Sequence, residues 1–379
     1  MDDFTYSEGV QTYTGNWLSG WQWSRAVCPP QRRKLFTPWA RFVAGLLFAV
    51  SQAGAVPQSV TPPQATVDPK PTFVYSQFAA TDPLRLIAYG DMRFATPTLT
   101  HGTNPRVRKW LAEKVGAERP QALLLTGDMP YVGAAPNDWE VFQQETASWR
   151  TAGFPVFPTL GNHEVYFQVK AGVENYMRNF PGIEGHRFYS AVLGPVEVIS
   201  MDMNLPGDWQ SDQTRWFAAQ LEHIPQTVEF VMILYHMPWV ADTQSQFIAN
   251  VPSPQGLALR NLLEAHLNRV RAKVIVFSGH IHNYERFERH GVEYVVTGGG
   301  GAQPYRLLYR GSHDLYRDTG FPVFNYVTLE VKDHHLHGVM WKVVDPDAET
   351  LTVEPKDSFD IQARPAPQKP VTKAQSKRR

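Results

Sequence analysis

Val274-Ile275-Val276-Phe277-Ser278-Gly279-His280-Ile281-His282-Asn283-Tyr284-Glu285-Arg286 begins with four apolar or β-branched residues, breaks at Ser-Gly, and then sets two histidines one residue apart. The form is that of a buried strand that stops in a tight turn and presents imidazoles at its C-terminal end. An open α/β sheet keeps its chemistry at that edge. Alone, His-x-His is a weak signal, because alternating histidines on an exposed strand are commonly inert. Its meaning depends on what the rest of the chain supplies.

Upstream, the same form recurs. Leu84 to Tyr89 is an apolar run that ends in Gly90-Asp91-Met92-Arg93, and Ala122 to Leu125 is another that leads into Gly127-Asp128-Met129-Pro130-Tyr131. Between them Asn104-Pro105 opens an amphipathic helix through about Val115, with Asn104 as N-cap and Pro105 at the first helical position. Strand, helix and strand so close together require a crossover, which makes the strands parallel and puts Asp91 and Asp128 at one edge. A second helix is expected from Asn137 to about Thr151, then a third strand from Phe154 that ends in Gly161-Asn162-His163-Glu164. Phe188–Val192 and Val196–Met203 alternate like antiparallel strands. Ser211 is expected to cap a helix from Asp212 to about His223, and Val228 to Tyr235 is a fourth strand that ends in His236. A helix from Leu257 to about Val270 precedes the opening stretch, and strands at 292–297, 324–329 and 337–343 close the chain. The fold class is α/β.

The pooled strand ends give Asp91, Asp128, Tyr131, Asn162, His163, His236, His280 and His282. These oxygens and imidazoles suffice for two adjacent metal ions with one carboxylate bridging, and one metal would not need so many. Two metals about 3.5–4 Å apart are the usual device for phosphoester hydrolysis, since they generate hydroxide near neutral pH and neutralise charge on the phosphoryl oxygens.

Gly90-Asp91, Gly127-Asp128-x-x-Tyr131, Gly161-Asn162-His163-Glu164, Ile233-x-x-His236 and Gly279-His280-x-His282 resemble the five ordered motifs of the calcineurin-like metallophosphoesterases. Tyr131 and the run Asn283-Tyr284-Glu285-Arg286 resemble the purple acid phosphatase branch. The resemblance spans about residues 84–301. It implies a four-layer α/β/β/α sandwich with two mixed β-sheets and the site at the C-terminal strand ends. It further implies Asp91, Tyr131 and His282 on one metal, Asn162, His236 and His280 on the other, Asp128 bridging, and His163 facing the substrate as acid or phosphate contact. A phenol of pKa about 10 must lose its proton to ligate, which favours a strongly acidic ion beside Tyr131. The resemblance accordingly implies Fe(III) paired with Fe(II), Zn(II) or Mn(II), and a tyrosinate-to-iron colour.

The chain departs from the pattern at Asp91-Met92-Arg93, where the superfamily has Asp-x-His and the purple branch Asp-x-Gly. Arg93 is always cationic and cannot ligate; it either grips a substrate phosphate bidentately or pairs with a nearby acid. Ile233 stands where the branch usually has Val, a harmless change. The expected activity is hydrolysis of phosphomonoesters by attack of a metal-bound hydroxide, with Arg93 and His163 acting on the substrate. A phosphodiesterase or nucleotidase on the same two metals is the rival within the fold, and a non-catalytic binding protein the rival outside it.

Three features carry no assignment. Asp333-His334-His335-Leu336-His337 alternates like an exposed strand face, Gly298 to Gly301 is not followed by a helix pattern and reads as a turn near the site, and Trp239 lines the pocket or belongs to the core.

Composition is that of a globular protein: 379 residues, 43% hydrophobic, with 36 basic and 36 acidic side chains, so no basic field points to nucleic acid. Gln31-Arg32-Arg33-Lys34, an apolar run Phe42–Val50 and Ala53-Gly54-Ala55 have the order of a secretory signal cleaved after Ala55. About nine apolar residues are far short of the roughly 20 of a membrane span, so no stable anchor is expected. The expected organisation is an N-terminal extension with signal (1–55), a Pro-rich linker (56–72), the metallophosphoesterase domain (73–361) and a disordered basic tail (362–379), in a secreted or periplasmic protein. Between the linker and Leu84 there is no room for the N-terminal β-sandwich of the larger plant-type enzymes, so a compact single-domain form is expected. The single cysteine, Cys28, leaves with the signal, which excludes thiol chemistry and disulfides from the exported product.

Overall fold

The computed structural model describes residues 70–79, 82–242, 251–307 and 310–365. All fall within one compact unit, Thr61–Arg379. The signal, most of the linker and the tail beyond 365 lie outside the described residues.

Two mixed sheets make up the scaffold. The first runs β1 (Phe73–Val74), β5 (Tyr189–Leu193), β6 (Val196–Ser200), β7 (Phe230–Leu234), β8 (Lys273–Ser278), β10 (Val292–Thr297) and β9 (Tyr284–Arg289), with β6, β7, β8 and β10 parallel. The second runs β13 (Val353–Gln362), β12 (His335–Val343), β11 (Asn325–Lys332), β2 (Leu84–Tyr89), β3 (Ala122–Leu125) and β4 (Val156–Pro158), with β2, β3 and β4 parallel.

Period-two alternation shows how the layers stack. On β7, Phe230, Met232 and Leu234 join the core shared with β2, β3 and helix α1 (Pro105–Ala117), whereas Val231 and Ile233 turn to the opposite core under α5 (Asp212–Glu222) and α6 (Pro254–His266). Helix α1 buries Val107, Leu111 and Val115, one face at spacing four. The expected sandwich of helices, sheet, sheet and helices is the architecture found. No helix among the described residues is long and apolar enough to cross a membrane.

Local signals mostly held. The Asn104 side chain accepts the Val107 N–H at 3.1 Å, the cap expected of it. Ser211 occupies an N-cap position but its hydroxyl makes no capping bond. The single helix expected at 137–151 is two, α2 (Pro136–Glu145) and α3 (Ala147–Ala152). They divide at Thr146, whose hydroxyl bonds back to the Phe142 carbonyl at 2.5 Å. Helix α4 (Val169–Asn179) was not legible: it buries only Gly172, Asn175 and Tyr176 and includes poor helix formers. Strand β13 was hidden by Pro355, which an edge strand tolerates and which sits beside a register shift at Met340/Trp341. At the two margins of the expected domain, Thr72 and Ser190 exchange backbone-to-hydroxyl bonds, and Ala363 and Arg364 bond to the carbonyls of His334 and Val270.

Candidate metal centre

Three of the five strands that supply site residues, β2, β3 and β8, end in the same way. Asp91, Asp128 and His280 follow Gly90, Gly127 and Gly279 and take left-handed φ of 58°, 55° and 67°. Such backbone costs on the order of 1–3 kcal/mol for a non-glycine residue and persists only where its surroundings hold it. Here the Asp91 N–H is held by the Gly127 carbonyl at 3.0 Å and the His280 N–H by Asp91 Oδ2 at 2.9 Å. A Cβ on Gly279 would lie inside contact distance of Asp91 Oδ2, so that position requires glycine.

The turns bring together residues from both sheets. Ligand-capable atoms of Asp91, Asp128 and His236, all fully buried, lie within 4.8 Å of one another. His236 Nδ1 donates to the Thr126 carbonyl at 2.7 Å, which turns Nε2 toward Asp128 Oδ1 at 3.3 Å and Asn162 Oδ1 at 3.2 Å. His280 Nδ1 lies 3.0 Å from the same Asn162 oxygen. His282 Nδ1 donates to the Gln303 carbonyl at 2.7 Å, leaving Nε2 buried, 3.5 Å from Asp91 Oδ1 and without a hydrogen-bond partner. A histidine with one nitrogen tied to a carbonyl and the other aimed at carboxylates is the usual ligand arrangement. The residues therefore group as His282 with Asp91, and Asn162 with His236 and His280. The donor set of hard oxygens and imidazoles, with one buried imidazole nitrogen unpartnered, fits divalent or trivalent metal ions.

Tyr131 is placed differently. Its ring lies against Gly102, between His101 at 6.3 Å and His163 at 5.5 Å, and among the described residues its hydroxyl has no polar contact with the carboxylates or histidines above. His163 Nδ1 donates to the Tyr131 carbonyl at 2.5 Å, and its Nε2 is 3.9 Å from Asp128 Oδ2. Of the two readings left open for Arg93, the structure has the ion pair, Nη2 to Asp128 Oδ2 at 3.3 Å, while Nε is buried without a partner. Trp239 is core, packed on Tyr235 and Phe217. His334 and His337 pair with Glu229 and Asp360 on the surface, away from the strand ends. Gly298 to Gly301 form a tight turn at the site, with the Gly300 N–H bonded to the Gly90 carbonyl.

Two residues have roles that the sequence does not assign: Glu164, the end of the third motif, and Tyr305. Glu164, fully buried, accepts the backbone N–H groups of Met129 at 2.7 Å, Asp128 at 3.0 Å and Gly161 at 2.7 Å, and so clamps the turn after β3 to the turn after β4. Tyr305 stacks on the His282 ring at 4.3 Å and 26°, in a stretch without periodicity that offered no signal.

The electrostatics are those of two carboxylates sharing a dry site. Burial, with Asp128 beside it, pushes Asp91 up to about 8. Asp128, which burial alone would raise, is held well below the usual carboxylate range by His236, His163 and Arg93. Burial opposes but does not overcome the pull of Asp128 and Asp91 on His236, which rises to about 9. Burial and Arg93 keep His282 neutral, well below its ordinary value.

A pH dependence follows for the metal-free protein. Between pH 6.5 and 9 the unfolded chain has an ionised Asp91 and a neutral His236, whereas the folded chain retains a proton on Asp91 to about 8 and on His236 to about 9. The folded state binds more protons, so stability falls as pH rises through this window. The melting temperature of chelator-treated protein is expected to decline from pH 6.5 to 9, and bound metal, which displaces those protons, to flatten the decline. A pH-independent melting temperature without metal would contradict this account.

Comparison with known proteins bears on the same strand ends. The family model described as calcineurin-like phosphoesterase matches residues 85–298. Purple acid phosphatase 22 of Arabidopsis thaliana is 26% identical over 235 residues, 58% of this chain and 49% of its own. Fe(3+)-Zn(2+) purple acid phosphatase 12 of the same organism is 25% identical over 187 residues, 45% of this chain and 38% of its own. The chain spans about half the length of the first curated relatives it matches. Among solved structures, purple acid phosphatase PPD1 from yellow lupin (Lupinus luteus) seeds has a TM-score of 0.58 at 17% identity, covering 76% of this chain and 55% of that one.

Proposed function

The chain belongs to the calcineurin-like phosphoesterase family, and from that premise we propose that it hydrolyses small phosphomonoesters at a centre of two metal ions. The observation that carries this reading is the unpartnered, buried His282 Nε2 beside the Asp91–Asp128 pair, an arrangement that a cation completes. Asp91 and His282 would hold one ion with Tyr131 as the tyrosinate of the purple branch, Asn162, His236 and His280 the other, and Asp128 both. Fe(III) with Fe(II), Zn(II) or Mn(II) is the proposed pair, and a relative whose name specifies iron and zinc supports it. The ions supply acidified water and neutralise phosphoryl charge.

The chain's own groups do the rest. The His163 ring is oriented by its Nδ1–H on the Tyr131 carbonyl, so the proton at issue is a second one, which Nε2 carries beside Asp128 only in the imidazolium form and which burial makes readier to leave. It would be delivered to the leaving alkoxide oxygen. Arg93, a largely buried guanidinium with an unpartnered Nε, would exchange part of its hold on Asp128 for a phosphate oxygen.

Metal analysis, a visible spectrum, and side-by-side rates on p-nitrophenyl phosphate and bis-p-nitrophenyl phosphate test the reading. The expected result is two metals per chain, a tyrosinate-to-iron band and a faster monoester rate. A faster diester rate would make the protein a phosphodiesterase, and absence of iron and of the band would remove the purple assignment. His163→Asn is expected to lower kcat about a hundredfold, the low end for lost acid–base catalysis, with metal content unchanged. Parallel loss of metal would make His163 a structural residue.

A further inference from the structure

Two aromatic rings bracket the carboxylate pair. Tyr166 follows β4 by a few residues, and its ring lies 4.5 Å from that of His163, whose Nε2 is near Asp128. On the other side Tyr305 stacks on His282, whose Nε2 is near Asp91. The two phenols interact electrostatically with each other, and Tyr305 also feels Arg93, Asp91 and Asp128. Each ring thus lies against a histidine whose Nε2 faces one of the two carboxylates.

Their settings differ in a way that suits a pocket. Tyr305 is fixed by its backbone: its N–H donates to the His282 carbonyl at 2.9 Å and its carbonyl accepts from Asn283 Nδ2 at 2.9 Å. Tyr166 is 44% exposed, and next to it Phe167 is 87% exposed with a left-handed φ of 64°, its ring 5.8 Å from that of Tyr166. Adjacent aromatic rings left in water, one on strained backbone, are unfavourable for the isolated fold, and such patches mark recognition surfaces.

We propose that Tyr166 and Tyr305 form the walls of the leaving-group pocket and make the site select phosphomonoesters of aromatic alcohols. The proposal rests on the phosphomonoesterase reading and adds the substrate class. A phosphoryl group at the carboxylate pair directs its ester oxygen outward past His163, between the two rings. An aryl group there stacks on Tyr166, whereas a short alkyl group leaves the ring unused. Stacking is present before and during reaction, so it acts on KM rather than kcat.

Removing one stacking partner is worth about three- to tenfold. Tyr166→Ala in the metal-loaded protein is therefore expected to raise KM for phenyl phosphate by that factor, with kcat held, and to leave KM for ethyl phosphate within about twofold. Tyr166→Phe keeps the ring and is expected to behave as wild type. Binding of phenylphosphonate and methylphosphonate, measured by calorimetry, supplies a readout without turnover: wild type should favour the phenyl compound and Tyr166→Ala should lose that margin. Equal losses on both substrates, or equal affinities of wild type for the two phosphonates, would overturn the pocket and leave the phosphatase reading standing. A phenylphosphonate preference that Tyr166→Ala abolishes, in a protein inactive on both esters, would keep the aromatic pocket and overturn the phosphatase reading.

Discussion

Asp128→Asn is expected to reduce bound metal to background and kcat/KM by at least about a thousandfold, with the fold retained. Asp128 is fully buried, and its two oxygens serve four groups: the His163 N–H at 2.9 Å and His236 Nε2 at 3.3 Å on Oδ1, Arg93 Nη2 at 3.3 Å and His163 Nε2 at 3.9 Å on Oδ2. An amide fills the same space but leaves the Arg93 and His236 charges without their counter-ion. Removing one partner of a buried ion pair costs about 3–5 kcal/mol of stability, and the neutral amide also brings no charge to offset that of a bound cation, so metal and the activity that depends on it fall together. In the metal-free variant His236 should also titrate nearer its ordinary value, which histidine NMR would show. Metal content by mass spectrometry, far-UV circular dichroism and rates on p-nitrophenyl phosphate test the prediction together. A folded variant with a tenth of wild-type metal and activity would take Asp128 out of the centre.

Glu164 carries the second large effect. Its carboxylate is the only acceptor shown for the N–H groups of Met129, Asp128 and Gly161 among the described residues. A buried N–H left unsatisfied costs about 1–3 kcal/mol, so Glu164→Ala should lose roughly 3–6 kcal/mol, a large part of a typical domain's stability. Glu164→Gln is the more informative variant, since one oxygen remains and the fold should survive at a cost of about 1–3 kcal/mol. Because the side chain acts only through the two turns it joins, the glutamine variant should bind metal about 10–100-fold more weakly while kcat at saturating metal stays near wild type. Thermal melts and metal titrations measure both parts. Wild-type metal affinity in a variant that also melts like wild type would show that the clamp does not position the centre.

The contrast between Asp128 and Glu164 shows what a sequence makes legible. Asp91, Asp128, Asn162, His236, His280 and His282 stand directly after apolar runs or within a few residues of them, and parallel pairing of β2 with β3 and of β7 with β8 brings such ends together by topology alone. The function of Glu164 depends on three amide groups in two other turns, and no local pattern encodes those. The same holds for the run after the opening His-x-His. Asn283 accepts from Arg310, 27 residues away, Arg286 pairs with Asp357, 71 away, and the Glu285 carboxylate accepts the Asp242 N–H, 43 away. This run anchors β9 to two distant loops and to strand β13, a packing role that spacing along the chain does not reveal. Tyr305 reached the site through a backbone bond to His282 rather than through any motif of its own.

The strand order of the second sheet has a consequence for how the centre comes into being. Arg85 on β2 pairs with Glu330 on β11, 245 residues later, so the first strand of this sheet to reach a ribosomal exit lacks its neighbour on that side until β11 has emerged. Asp91 and Asp128 are made early, whereas His236, His280 and His282 are made late. Until these three imidazoles arrive, two carboxylates would have to be buried together with only Arg93 and His163 beside them, which favours an open or proton-carrying nascent state. The full donor set therefore exists only once β8 and the turn after it have joined β2 and β3, so a metal ion that needs all of these groups is bound late in folding rather than early.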